Sequence, residues 1–385
     1  MANPSTTYHP IGDYIRPVDV RNRDLKVTKL LGLSIEKCFI PSIANTIGTD
    51  MSTYKIVQPR QFAYGPVTSR NGDKITIALY TGDEPAIISQ AYVVFEIMDA
   101  GVPVETHGRA SLPDGPSQLL PEYLMMWFRR PEFDRYARYH SHGSAREIFD
   151  WDEMCATKIP VPPIAEQRAI VAEYEAVQNR IKVAKRMIAT LQATAQALYR
   201  KMFVDGIDKE NLPEGWRWGT LGEVCEVKAG GDAPAVVTEE KTPDCPYPIY
   251  ANGFEKDGLY GFTNSPKISK PSFTISARGT IGYCCIRKEP YVPIVRLIVV
   301  IPKEETLLFY LALHFQTTKI EGDGSVQGQL TVPNVEAYNI IIPNEESLNL
   351  FNSAYKIIDR KIELHNKEIE KLTELHALLL ARIGR

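Results

Sequence analysis

One plan occurs twice in this chain, and each time it ends in a long helix. Gly143-Ser144 returns as Gly324-Ser325, 181 residues further on. At that offset Phe149 matches Leu330, Met154 matches Val335, Ile159 matches Ile340 and Pro162 matches Pro343. The register runs on without a gap through Tyr174/Tyr355, Ile181/Ile362, Ile188/Ile369, Leu191/Leu372 and Leu198/Leu379. Nearer the start of each half, Ile11-Gly12-Asp13-Tyr14 is similar to Leu221-Gly222-Glu223-Val224. The offset there is 210, so the first copy carries extra residues in its globular part. An internal repeat of this kind decides architecture before local propensity does.

The helices are the clearest local signal. Ile170, Tyr174, Val177, Ile181, Ala184, Ile188, Leu191, Ala195, Leu198 and Met202 step by alternating fours and threes, the seam of a coiled coil. Pro160-Val161-Pro162-Pro163 precedes that seam and Asp205-Gly206 ends it. The second seam reads Phe351, Tyr355, Ile358, Ile362, His365, Ile369, Leu372, His376, Leu379 and Ile383. A helix of about 40 residues is roughly 60 Å long at 1.5 Å per residue. Neither helix can bury its seam alone, and the two match in length. We expect them to pack on each other, antiparallel because a globular region separates the end of one from the start of the other. Homodimerisation through the seams is the alternative. His365 and His376 fall on the seam and are expected as packed histidines, while Lys182, Lys185 and Arg186 lie off it in solvent.

Between the helices the pattern is mixed. Ala91–Ile97 and Val295–Ile301 read as buried strands, rich in β-branched residues. Leu119–Arg130 and Glu305–Gln316 read as amphipathic helices. The expected fold is α/β (α+β), in four segments: globular regions at 1–158 and 207–340, long helices at 159–206 and 341–385.

Net charge is −3, so no basic surplus advertises nucleic-acid binding. Only residues 156–206 are positive, with 8 Lys and Arg against 4 Asp and Glu. Six cysteines (Cys38, Cys155, Cys225, Cys245, Cys284, Cys285) show no Cys-x-x-Cys spacing, which predicts reduced, mostly packed thiols and a cytoplasmic setting. No run of eighteen apolar residues predicts a membrane span, and Met1–Pro10 lacks the apolar stretch of a signal peptide.

Catalytic motifs are missing. No glycine-rich turn with an Asn/Asp-Pro-Pro-aromatic motif marks a methyl donor site, and Gly322-Asp323-Gly324 lacks the third glycine of a dinucleotide fingerprint. No phosphate-binding loop of the G-x-x-x-x-G-K-[ST] type occurs. Asp232 with Glu239-Glu240-Lys241 imitates a nuclease spacing but sits among prolines and charges, as a solvated loop would. His140-Ser141-His142 has no carboxylate or cysteine beside it in sequence to complete a metal site, so surface histidines are expected. No catalytic residue, metal or cofactor is assigned.

The repeat and several strings resemble the specificity subunits of type I restriction–modification systems. The most specific string is Ile159-Pro160-Val161-Pro162-Pro163-Ile164-Ala165-Glu166-Gln167-Arg168-Ala169-Ile170-Val171, which looks like that family's start of the central spacer helix. Arg278-Gly279-Thr280-Ile281-Gly282, Gly324-Ser325-Val326-Gln327 and Tyr250-Ala251-Asn252-Gly253 look like motifs of its second recognition domain. Gly143-Ser144-Ala145-Arg146 and Ser89-Gln90-Ala91-Tyr92 are similar elements of the first. The second spacer departs from the pattern, since Ile342-Pro343-Asn344-Glu345-Glu346 lacks the Pro-Pro and Glu-Gln. The resemblance implies a non-catalytic adaptor, each globular region reading one half of a split double-stranded DNA target and the helices spacing the halves. It also implies two modification (methyltransferase) subunits and restriction (motor–nuclease) subunits as partners, which would share the phosphate contacts and account for the near-neutral charge. Base edges are read by Arg, Asn, Gln and Ser that reach a groove. On that basis the candidates are Arg278, Gln327, Gln329 and Asn252 in the second region, and Arg21, Asn22, Arg23, Arg70, Asn71 and Arg146 in the first. Two other readings stay open here: a coiled-coil scaffold without DNA specificity, and a degenerate single-chain restriction–modification enzyme.

Overall fold

A computed structural model describes residues 8–42, 48–69, 71–98, 118–143, 146–318 and 329–384. The chain divides into two units, one of residues up to 183 with 368–385, the other of 184–367. The first unit holds β1 (Tyr8–Pro10), β2 (Ile15–Val18), β3 (Leu31–Leu33), β4 (Phe39–Pro41), β5 (Lys55–Val57), β6 (Phe62–Tyr64), β7 (Ile77–Leu79), β8 (Ala86–Ile88) and β9 (Val93–Ile97). Then come α1 (Pro121–Phe128), α2 (Pro131–Tyr139), α3 (Trp151–Ala156), β10 (Lys158–Pro160) and the long α4 (Ile164–Phe203), whose second half enters the other unit. The second unit continues with β11 (Arg217–Thr220), α5 (Leu221–Val224), β12 (Cys225–Ala229), β13 (Tyr247–Tyr250), β14 (Leu259–Thr263) and β15 (Ser272–Ile275). It closes with β16 (Cys284–Arg287), β17 (Val292–Pro293), β18 (Ile298–Pro302), α6 (Leu308–Thr317), α7 (Val332–Glu336), β19 (Asn339–Ile342) and α8 (Glu345–Arg382), which returns to the first unit.

The repeat seen in sequence is a repeat of topology. Each unit has a four-stranded antiparallel sheet in one strand order, β2-β9-β6-β7 in the first and β12-β18-β15-β16 in the second. Each also has a two-stranded antiparallel ribbon just before its long helix, β1 with β10 and β11 with β19. The matched glycines occupy equivalent close approaches. A Cβ on Gly12 would lie 2.8 Å from the Cys155 Cβ on α3, and one on Gly222 would lie 3.2 Å from the Glu336 Cβ on α7. Phe62 on β6 meets Phe128 on α1 with ring centroids 5.9 Å apart, and Phe273 on β15 meets Phe315 on α6 at 5.6 Å. Each fully buried aromatic of this kind stabilises its core by roughly 1.5–3 kcal/mol.

Covering explains where the simple patterns fail. All five residues of β18 are buried, as are seven of the eight in α1, so both read as continuous apolar runs. The amphipathic expectation for Leu119–Arg130 is therefore corrected to a shorter helix buried nearly all round. The expected strand at Val295 starts only at Ile298, because Val295 and Arg296 take positive φ in a tight turn. Likewise Ser89–Tyr92 is a turn, closed by the Tyr92 N–H donating to the Ser89 carbonyl at 3.1 Å, and β9 begins at Val93.

The start of α4 explains its motif. Gln167 is fully buried, its amide donating to the Gln118 and Pro162 carbonyls at 2.8 Å each and accepting from the Leu120 N–H at 2.9 Å. It thereby satisfies an N–H at the N-terminus of α1 that no cap side chain reaches. The second copy has Leu348 at this place, buried in its core, and starts α8 with Asn344, whose side-chain Oδ1 accepts from the Ser347 N–H at 3.0 Å.

Every expected seam residue of both helices is buried or half-buried. In the first unit the beginning of α4 lies beside the end of α8. Tyr174 stacks on His376 at 4.4 Å, Gln178 contacts the same imidazole at 3.2 Å, and Glu173 pairs with Arg382 at 3.5 Å. In the second unit the end of α4 meets the beginning of α8, with Phe203 and Phe351 rings 5.1 Å apart. In both, the helices run antiparallel. Burial, and after it the Arg129 charge, hold the His376 imidazole below its ordinary pKa, the mark of a packed seam residue. Lys182, Lys185 and Arg186 are exposed.

All six cysteines are free, three of them buried and Cys38 exposed. His140 has a carboxylate neighbour after all, Glu153 at 3.1 Å, brought round by α3. No His/Cys/Asp/Glu group among the described residues is arranged to hold a metal ion, and none of the described helices is long and apolar enough to cross a membrane.

Candidate nucleic-acid interface

In the second unit the loop after β15 carries Arg278. Its neighbour Ala277 is pinned on both sides: the N–H donates to the Asn252 side-chain carbonyl at 2.8 Å, and the carbonyl accepts from the Leu330 N–H at 3.2 Å. Arg278 and Gly279 are exposed beyond this anchor, Gly279 with φ of +68°. The Arg278 guanidinium donates to the Gln329 side-chain carbonyl at 3.0 Å, so two of the expected readers form one pair. No carboxylate among the described residues neutralises Arg278, which leaves its charge available.

Asn252 is spent on the scaffold. Its NH₂ donates to the Val295 carbonyl at 2.7 Å while its oxygen holds Ala277. It positions two turns and has one N–H left for a ligand. Asn252, Phe254, Tyr260, Arg278 and Thr280 line a cleft of about 360 Å³. Phe254 and Tyr260 stand 61% and 59% exposed on its rim. The turn after Phe254 places Lys256 and Asp257 in left-handed conformation, φ 46° and 55°. The Arg287 guanidinium fixes it, lying 3.5 Å over the Tyr250 ring and donating to the Asp257 carbonyl at 2.6 Å. Tyr283 adds a hydrogen bond to the Asp257 carboxylate at 2.7 Å. Burial, and after it Asp257, push the Tyr283 hydroxyl well above its usual pKa, so it remains a donor.

The first unit distributes its candidates over two places. The segments that carry Asn71 and Arg146 lie side by side: the Thr68 N–H donates to the Glu147 carbonyl at 3.0 Å, and Val67 bridges Ile148. Arg146 is exposed, and Gly143 admits no side chain, because a Cβ there would lie 2.1 Å from the Arg146 carbonyl. The Asn71 amide donates to the Val67 carbonyl at 3.2 Å. The Arg21–Arg23 segment lies elsewhere, beside Tyr54. Asn22 is 1% exposed and spends its amide on Val27, donating to the carbonyl at 2.9 Å and accepting from the N–H at 3.2 Å. Arg21 is held by Asp19 at 2.9 Å and by the Thr53 carbonyl at 2.8 Å, and that guanidinium lowers the Asp19 pKa. Arg23 alone of the three is exposed without a described partner. Arg70 and Gln327 lie outside the described residues.

Sequence reading passed over Arg296, which is exposed on the turn that Asn252 holds. A Val-Arg pair carries no turn signal, since Asn-Gly or Asp-Gly is the usual mark of two successive positive-φ residues.

Residues 213–374 match the family model described as the type I restriction modification DNA specificity domain. A chain of Mycoplasma pneumoniae named as the C-terminus of a type I specificity subunit is 30% identical over 120 residues, covering 83% of its length and 28% of this one. The chain belongs to the type I restriction–modification specificity subunit family. A longer Mycoplasma pneumoniae member is 30% identical over 176 residues, which is 43% of this chain and 52% of that protein. The chain thus spans about half the length of the longer curated members it matches. A crystal structure of the specificity (S) subunit of a type I restriction–modification system from M. genitalium shares the fold. Its TM-score is 0.55 at 16% identity, covering 100% of this chain and 98% of that one. The mixed α/β units and long helices described above are this family's architecture in the present sequence.

Proposed function

We propose that this chain is a sequence-specific DNA-binding subunit with no catalytic site of its own, reading a bipartite target in the cytoplasm. Residues 1–158 and 207–340 serve as the two recognition domains, each reading one half-site, and 159–206 and 341–385 as the spacers that set the gap. The observation that carries the reading is the exposed Arg278–Gln329 pair on a backbone pinned by Asn252 and Leu330. An arginine fork needs such a fixed base to meet the O6 and N7 of guanine bidentately. Arg146 and Asn71 form the matching candidate in the first domain, with Arg23 beside them in function; Arg70 and Gln327 remain assigned from the family's motifs.

Modification subunits supply the methyl donor and the chemistry, and restriction subunits join them. Support for such docking lies on α8, where Leu350, Ile357 and Leu364 are 66%, 62% and 59% exposed at seven-residue spacing. Lys356, Arg360, Lys361 and Lys367 flank them and form no ion pair with a described residue. That face suits a partner helix of complementary, acidic character.

The test maps methylated adenine across the genome of cells expressing the modification subunits with or without this chain. A bipartite motif that depends on the chain is expected. Arg278→Ala should relax one half-site by about 1–3 kcal/mol of discrimination and leave the other intact. No chain-dependent motif, or methyl transfer by the isolated chain, would refute the adaptor reading.

A further inference from the structure

We propose that Arg296 is a second base-reading arginine of the half-site that Arg278 reads, held at fixed spacing from it by the Asn252 carboxamide; this rests on the DNA-reading function above. Val295 and Arg296 both occupy the left-handed region, φ 53° and 59°, in a turn closed by the Leu297 N–H on the Ile294 carbonyl at 3.1 Å. A β-branched residue there is strongly disfavoured, and such conformations persist only where surrounding structure over-determines them.

Here it does. The Val295 N–H donates to the Gly231 carbonyl at 2.8 Å, the Arg296 N–H to the Gly230 carbonyl at 3.0 Å, and the Val295 carbonyl accepts from Asn252 at 2.7 Å. Gly230 has no room for a side chain, since a Cβ would lie 2.8 Å from the Ile294 nitrogen. What this clamp presents is one exposed guanidinium that pairs with none of the described residues.

Spacing ties it to Arg278. A single amide bridges the two turns, with Ala277 nitrogen on one end and Val295 oxygen on the other. An amide spans about 2.3 Å from oxygen to nitrogen, so those backbone atoms lie within about 8 Å of each other. That is little more than two base-pair steps of about 3.4 Å. A phosphate contact would be served by a mobile side chain on a loose loop. A clamped backbone serves a contact with angular demand, which base-edge reading has.

The experiment uses the full chain with its modification subunits, mapping methylated adenine in cells. Arg296→Ala is expected to lose about tenfold discrimination at one position, within two or three base pairs of that affected by Arg278→Ala. Arg296→Lys should not restore it, because the charge survives but the fork does not. Asn252→Asp keeps the acceptor for Ala277 and sets a carboxylate against the Val295 carbonyl, so it should relax the Arg296 position more than the Arg278 position. An unchanged motif with Arg296→Ala at wild-type methylation would overturn the proposal. So would uniform weakening at every site that Arg296→Lys rescues, which marks a phosphate contact. If the unmutated chain directs no bipartite methylation, the DNA-reading function fails and this inference with it.

Discussion

Replacing Gln167 by alanine removes three hydrogen bonds made by a fully buried side chain, and its cost follows from the partners left behind. The Leu120 N–H, the Gln118 carbonyl and the Pro162 carbonyl each lose their side-chain partner. A buried polar group left unsatisfied costs about 1–3 kcal/mol, and carbonyls less than N–H groups because their second lone pair is often used. About 2–4 kcal/mol of destabilisation is therefore expected, confined to the first unit. For a unit of roughly 200 residues that lowers the melting temperature by roughly 5–15 °C. Gln167→Leu, which imitates Leu348 of the second copy, restores volume without restoring a single hydrogen bond and should be nearly as damaging. Hydrogen exchange is the direct assay. The Leu120 amide and the first turn of α1 should lose protection in both variants, while amides of β18 in the second unit keep theirs. Unfolding free energies within about 0.5 kcal/mol of wild type for Gln167→Leu, with Leu120 still protected, would refute the reasoning.

Two further outcomes are expected. His314 is clasped between Tyr199 at 2.8 Å and Tyr338 at 3.2 Å, and burial, with a smaller contribution from Lys209, pushes its pKa down to about 4. Its unfolded value is about 6.5, so full stability is present above that pH and is lost as pH falls towards 4, about 2 kcal/mol of it by pH 5. Urea unfolding at pH 7 and pH 5 should show a smaller pH difference for His314→Asn than for wild type; equal differences would exclude the imidazole as the cause. Inserting seven residues after Leu191 keeps the α4 seam in phase and adds about 10 Å of helix, which should change the gap between methylated half-sites by one or two base pairs without changing their sequences. A fixed gap in a folded, active complex would remove the spacer role, and a two-residue insertion, turning the seam by about 200°, should unfold it.

The repeat and both seams were readable because their signals are periodic and long. Twenty seam residues at alternating threes and fours leave little choice of element, and every one is at least half-buried. The sheets were harder. Strands of three to five residues covered on both faces carry no alternation, so β6 (Phe62–Tyr64, all buried) has no pattern to detect. The candidate site was half legible. Residue type marked Arg278 and Gln329, and they do meet. The same reasoning chose Asn22 and Asn252, whose amides brace the backbone, because a side chain's chemistry does not say whether its partner is a base or the protein's own carbonyl. Arg296 was hidden behind a Val-Arg turn that only long-range hydrogen bonds impose.

Residues 368–385 belong to the first unit, and this has a consequence for synthesis. Leu380 and Ile383 are buried in the same core as Ile11, Phe62 and Tyr123. A ribosome delivers those two residues only after the whole of the second unit has been made. Until then the first unit has an uncovered strip along α4, around Val171 and Tyr174, that its own preceding residues cannot fill. The second unit, by contrast, has all its parts as soon as residue 367 has emerged. Maturation should therefore run opposite to the order of translation. The region made first is finished last, and nascent chains stalled before residue 368 should be cut by protease in the first unit while the second resists.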